Sequence, residues 1–236
     1  MVNSGFSGFS KDVLKFYEEI SVNNHREWFQ ENKSRYQDGV LKSAQAFVEI
    51  LGERLKLLST GIQYDSRTSG VGSILRIYRD IRFSKDKTPY KDHLGIIFWE
   101  GPQKKMENPA FYFHLDSAGA LFYSGFYRFT RDFLRAYREA VHDNQLGAEL
   151  VSILGELKEL EGYEFGGDQY KRVPSGYEKD HPRADLLRYK GLWGKSPHIT
   201  PKLVSSSELV DACFDYAVQM LPLHKWLVEV DRMKTN

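Results

Sequence analysis

Residues 110–127, AFYFHLDSAGALFYSGFY, carry the pattern on which the fold of this chain turns. β-Branched, aromatic and aliphatic residues fill both halves, and Ser117, Ala118 and Gly119 between them form a turn-like connection. Such a pattern predicts an antiparallel hairpin. In its first half His114 alternates with Phe113 and Leu115, with Asp116 on its own face, because successive side chains of a strand point to opposite sides. Working back toward the N-terminus, HLGIIFW (93–99) and ILRIY (74–78) have the same character and predict two further strands. A largely antiparallel sheet is therefore expected over about residues 73–127.

Helical spacing brackets that sheet. Ser10 is placed to cap a helix whose apolar positions are Val13, Leu14, Tyr17 and Ile20. Asn24 and Glu27 read as a capping box for the next helix, which carries Trp28, Phe29 and Tyr36, bends or splits at Gly39, and continues through Phe47, Val48, Leu51 and Leu55. After the sheet, Thr130 should cap a helix with Phe133, Leu134, Tyr137 and Val141, and Asn144 should open another. The Gly- and Pro-rich stretch from 161 to 182 predicts an irregular loop with a short strand through Tyr170–Val173, then a short helix from Pro182. LWGKSPHITP (192–201) reads as another loop, and a last helix starts near Ser207, restarts at Pro222, and turns Leu209, Cys213, Phe214, Val218 and Leu221 inward. Helices, then strands, then helices define an α+β class, here a central sheet flanked by N- and C-terminal helices in one domain spanning 1–236.

Composition narrows the function classes. Net charge is +1 from 33 basic and 32 acidic side chains, which disfavours a protein that coats nucleic acid through overall charge. A single cysteine, Cys213, rules out an internal disulfide and a thiolate metal cluster, and suits a reducing compartment. With no secretory-type start and no apolar run near ~18 residues, the expected location is cytoplasmic, without a membrane partner. The seven histidines form no metal-binding spacing, so no metal is expected. P-loop, Rossmann and nucleophile-elbow patterns do not occur, and no feature names a reaction, a cofactor or an oligomeric state.

One local patch departs from this balance. RIYRDIRFSKDKTPYK (76–91) sets Arg76, Arg79, Arg82, Lys85, Lys87 and Lys91 against Asp80 and Asp86 alone. A continuous strand would bury Arg79, so the chain is expected to leave the sheet there and form a loop. Guanidinium forks fit carboxylate and phosphate geometry, and ammonium groups act as point charges. Two carboxylates leave an excess of four positive charges, which points to a small anionic or phosphate-bearing ligand. Arg76, Arg79, Asp80, Arg82, Lys87 and Lys171 are the candidate ligand contacts, and Tyr90, His114 and His181 the candidate proton-transfer groups. Against this stands a structural network in which Asp80 and Asp86 pair with their neighbours. NNHREW (23–28) could contribute helix N-terminal amides, or serve only as a cap. KRVPSGYEKDHP (171–182) brings Lys171 and His181 into one loop, where His181 could titrate near neutral pH or cap the helix that follows. The alternative function is a non-catalytic module docking nucleic acid or an acidic protein through the same patch, and nucleic acid is the less favoured partner.

The same string resembles the signature of an uncharacterised conserved-hypothetical family, a domain of unknown function marked by RxxRDxRF, a DK pair and a Tyr. Arg76, Arg79, Asp80, Arg82, Phe83, Asp86, Lys87 and Tyr90 match it. FSGF with NNHREWFQENKSRY, FYFHLD, and KRVPSGYEKDHPRADLLRYKGL resemble the same family, so the likeness covers nearly the whole chain. YSGFYRFT departs from it, with fewer glycines and no proline. The resemblance implies no activity.

Overall fold

The computed structural model describes residues 5–68 and 71–234. Among them, β1 (Ile62–Gln63), β2 (Leu94–Glu100), β3 (Ala110–Asp116), β4 (Gly119–Phe126), β5 (Glu164–Gly166) and β6 (Leu192–Lys195) form one antiparallel sheet in the order β1-β2-β3-β4-β6-β5. The predicted hairpin is present as β3 and β4. With helices before and after it, the fold is α+β. The chain divides into two compact units.

The first unit comprises residues 1–98, 112–122 and 198–215. Its helices are α1 (Lys11–Val22), α2 (Arg26–Glu31) and α3 (Lys42–Leu55), with a π-helical segment, Arg35–Leu41, around Gly39 where a bend was expected. Aromatic rings fill the core: Phe113 lies 4.7 Å from Phe47 and stacks on Phe9 at 5.9 Å, while Phe16, Tyr17, Phe29 and Phe47 are essentially inaccessible. Burial of such rings is the main driving force for folding, at roughly 25 cal/mol per Å² of apolar surface.

The second unit comprises 99–111, 123–197 and 216–236. Helices α4 (Arg131–His142), α5 (Asn144–Glu159), the single-turn α6 (Ala184–Leu187) and α9 (Leu221–Met233) surround Phe126, Phe129, Phe133, Tyr137 and Trp226. Trp226 donates its indole N–H to the Leu146 carbonyl (3.0 Å), and the Tyr137 hydroxyl donates to the Leu186 carbonyl (3.0 Å). Buried polar tips are thus satisfied within an apolar core. Helix α7 (Pro201–Val204) belongs to the first unit, and α8 (Leu209–Gln219) precedes α9 in the chain.

Several local expectations change. ILRIY is not a regular strand and keeps only isolated bridges, Ile74 to Ile96 and Tyr78 to Tyr90. LWGK, expected as loop, is the strand β6 between β4 and β5. Its Gly194 is needed for close approach: a Cβ there would sit 3.0 Å from Leu157 and 3.1 Å from the Met220 sulfur. A glycine that reads as a loop signal is here a packing residue. The short strand of the long loop is Glu164–Gly166 rather than Tyr170–Val173. Thr130 caps α4 and Asn144 opens α5, both as expected, with Asp143 as the cap of α5, accepting from the Gln145 and Leu146 amides. Val218 faces outward, 41% exposed.

Candidate functional site

The basic segment folds back on itself. The Tyr78–Tyr90 bridge, with Arg79 N–H donating to the Pro89 carbonyl (2.9 Å) and Lys91 N–H to the Ile77 carbonyl (2.7 Å), closes residues 79–89 into a loop. Asn24 fastens the base. Its side chain donates to the Tyr90 carbonyl and accepts the Tyr90 amide, both at 3.0 Å, as a neighbouring strand would. The capping-box expectation is corrected here: His25 is the cap of α2, accepting the Trp28 amide, and it also contacts Glu27 at 3.1 Å. Asn24 is free to clamp the loop because the cap position has moved by one residue.

Inside the loop the arginines separate by role. Arg79, half-buried, donates through one terminal nitrogen to Asp86 (2.5 Å), the Thr88 carbonyl (3.1 Å) and the Thr88 hydroxyl. Asp86 also accepts the Thr88 amide (2.9 Å). Arg82 lies exposed, forked onto Asp80 at 2.9 and 2.7 Å. Hydrogen bonds from these partners pull both carboxyls down to about 2. Lys87 donates to the Ile81 carbonyl (2.9 Å). Asp80 and Asp86 are therefore committed, as the network reading requires. Arg76 and Lys91 make no ion pair among the described residues. Lys91 is half-buried, and burial first, then Arg76, lowers its pKa from the usual lysine range. Phe83, at the tip, is 93% exposed.

The proposed proton-transfer groups of this unit sit differently. Tyr90 is buried, stacked on Phe29 at 4.3 Å, and burial raises its hydroxyl pKa. His114 on β3 stacks on His93 at 4.4 Å and lies 3.5 Å from Asp116, and Asp92 contacts His93 at 3.0 Å. Burial lowers the His114 pKa, with His93 next in effect. Among the described residues no three His, Cys, Asp or Glu side chains converge as a metal site.

In the second unit, two arginines staple the loop over residues 167–183. Arg183 donates to the carbonyls of Val141 (2.7 Å), His142 and Asp143 (both 3.0 Å) at the end of α4. Arg188 holds the Tyr170 carbonyl (3.0 Å), the Gln169 side chain (2.9 Å) and Asp185 (3.1 Å). His181 accepts the Arg183 amide (3.0 Å) within the turn before α6, but it is not the helix cap weighed for it, since the N-cap of α6 is Arg183, with no side-chain cap bond. Its ring lies 5.0 Å from that of His142. Lys171 is exposed.

A family model for conserved hypothetical proteins, DUF2461, matches residues 12–226, running through both units. The chain belongs to the DUF2461 family. Among curated proteins, none matches it.

In this DUF2461 chain two residues escaped the sequence reading. Lys91 is one basic residue among six in the sequence of residues 76–91, and the Tyr78–Tyr90 pairing that sets it against Ile77 has no local signal. Asn24 looked like a cap, and its partner is 66 positions away.

Proposed function

We propose that this protein binds a small phosphate-bearing or similar anionic ligand at the stem of the 76–91 loop. One observation carries the reading: Asp80 and Asp86 are taken up by Arg82 and Arg79, while Arg76 and the half-buried Lys91 influence each other with no ion pair of their own among the described residues. A half-buried ammonium on which the charge of an exposed guanidinium also acts is relieved when an anion neutralises both. Asn24 and the Arg79–Asp86–Thr88 bonds hold the loop in shape beforehand, which lowers the entropic cost of binding. Arg79, Asp80, Arg82 and Lys87 thus serve to build the loop, and Arg76 and Lys91 to meet the ligand. Tyr90, with its raised pKa, suits a hydrogen-bond donor better than a base. Calorimetric titration with inorganic phosphate and pyrophosphate at fixed ionic strength, with chloride as control, tests this. Wild type should bind, and Arg76→Gln with Lys91→Met should weaken binding ~10-fold or more. A wild type indifferent to both phosphates sinks the proposal.

A second reading rests on Phe83. A phenylalanine 93% exposed beside Arg82, whose guanidinium lies 5.7 Å from the ring centre, suits docking of nucleic acid or an acidic protein. Fluorescence anisotropy with a labelled single-stranded oligonucleotide separates the two: Phe83→Ala should abolish docking yet leave phosphate binding intact. A cytoplasmic location is part of the proposal. It is supported by Cys213, the only cysteine and a buried free thiol, and is tested by cell fractionation. Among the described residues no helix is long and apolar enough to cross a membrane.

A further inference from the structure

Within the second unit a different group of cations is left over. Arg138 on α4 and Lys190 after α6 both lie over the ring of Tyr170, at 5.2 and 5.1 Å from its centre. Neither makes an ion pair among the described residues, and the Nε of Arg138 is buried without any hydrogen-bond partner. Buried donors in native proteins are nearly always satisfied, so an orphaned guanidinium N–H marks a place where something else accepts. Two carboxylates of this unit have other work. Asp143 accepts the first amides of α5, and Asp185 is held by Arg188. Glu139 is exposed, and its charge, like that of Arg138, acts on the Tyr177 hydroxyl. Tyr177 and His181 both lie against His142, one turn further along α4 than Arg138. The staples Arg183 and Arg188 hold this loop in place without using Arg138 or Lys190.

We infer that Arg138 and Lys190, with Tyr170 between them in sequence and under both in space, form a site for a dianionic phosphate group. Two unneutralised cations match the two charges of a phosphate monoester or of a pyrophosphate bridge esterified at both ends, and free pyrophosphate offers at least as much charge. The guanidinium supplies a directional fork and the ammonium a point charge. The half-exposed Tyr170 ring gives an aromatic floor beside them. The site owes nothing to Arg76 or Lys91, so it stands or falls apart from the first-unit proposal.

The test is a calorimetric titration of the full chain with pyrophosphate, with citrate as a carboxylate of comparable charge. The protein is taken as wild type, Arg138→Gln/Lys190→Gln, Lys190→Gln alone, and Arg76→Gln/Lys91→Met. Removing the Arg138–Lys190 pair should eliminate one binding component or weaken it ~10-fold or more, with Lys190→Gln intermediate. That component should persist in Arg76→Gln/Lys91→Met. Near-UV circular dichroism checks the fold, and if the double variant unfolds, Lys190→Gln decides alone. Unchanged pyrophosphate affinity in the folded variants would overturn the inference, and citrate binding as tightly as pyrophosphate would overturn its assignment to phosphate.

Discussion

Arg79 and Arg82 carry the same charge three positions apart, yet removing them should have different consequences. Arg79 is half-buried and serves Asp86 and Thr88 together, so Arg79→Ala leaves a carbonyl and a carboxylate short of a donor and should cost ~1–2 kcal/mol in urea unfolding. Arg82→Ala removes an exposed pair and should leave the urea midpoint where it is. Equal losses from the two would mean that the loop is not held as described. His114 sets a pH dependence. Its folded pKa lies below the ordinary 6.5, so between the two values the unfolded chain binds more protons than the folded one. Stability conferred by the neutral ring is therefore complete above about 6.5 and declines as pH falls from there toward the lower folded value. The groups facing it are the stacked His93, which lowers its pKa further, and Asp116 and Asp92, which oppose that shift. Thermal melts across pH 7.5 to 5 should show a shallower fall in His114→Asn than in wild type; parallel curves would remove His114 as the source. Asp86 acts lower, since its contribution is present above about 4 and is lost as pH drops toward 2.

Two elements depend on contacts that ordinary propensities do not announce. The 76–91 loop is anchored by the Asn24 side chain acting as a short strand. Asn24→Ala should cost ~1–2 kcal/mol and speed hydrogen exchange at the Tyr90 amide, while leaving α2 intact because His25 caps it. Unchanged exchange at Tyr90 would contradict the clamp. Strand β6 depends on Gly125 of β4. Gly125 has φ +152° and faces Trp193, and a Cβ there would lie 2.3 Å from the Leu192 carbonyl oxygen. Gly125→Ala is expected to destabilise by about 3 kcal/mol through backbone strain and loss of the β4–β6 pairing. A variant with wild-type melting temperature would show that this pairing tolerates displacement.

For the whole molecule, 33 basic and 32 acidic side chains place the pI near 7.8, and charge repulsion between copies is weakest there. Light scattering against pH should show self-association peaking near that value. Because overall charge is nearly balanced, any anion specificity must come from where cations are left unpaired, and this is where sequence and tertiary structure divide. The class of the fold was legible in the chain itself. The β3–β4 hairpin, the helices before and after it, and the cap at Thr130 follow from the spacing of apolar and turn residues among near neighbours. The position of the basic loop was equally legible, since charge density is a local count. Which cations remain free was not. Asp86 takes Arg79 because the loop turns back on itself, and Asn24 reaches Tyr90 only once α1 and α2 are packed. Arg138 and Lys190, far apart along the chain, meet only over Tyr170. In the same way LWGK became a strand because Leu157, Met220 and Leu223 close over Gly194. Periodicity is fixed by covalent neighbours, whereas neutralisation and close packing act through space between residues whose separation along the chain says nothing about their distance.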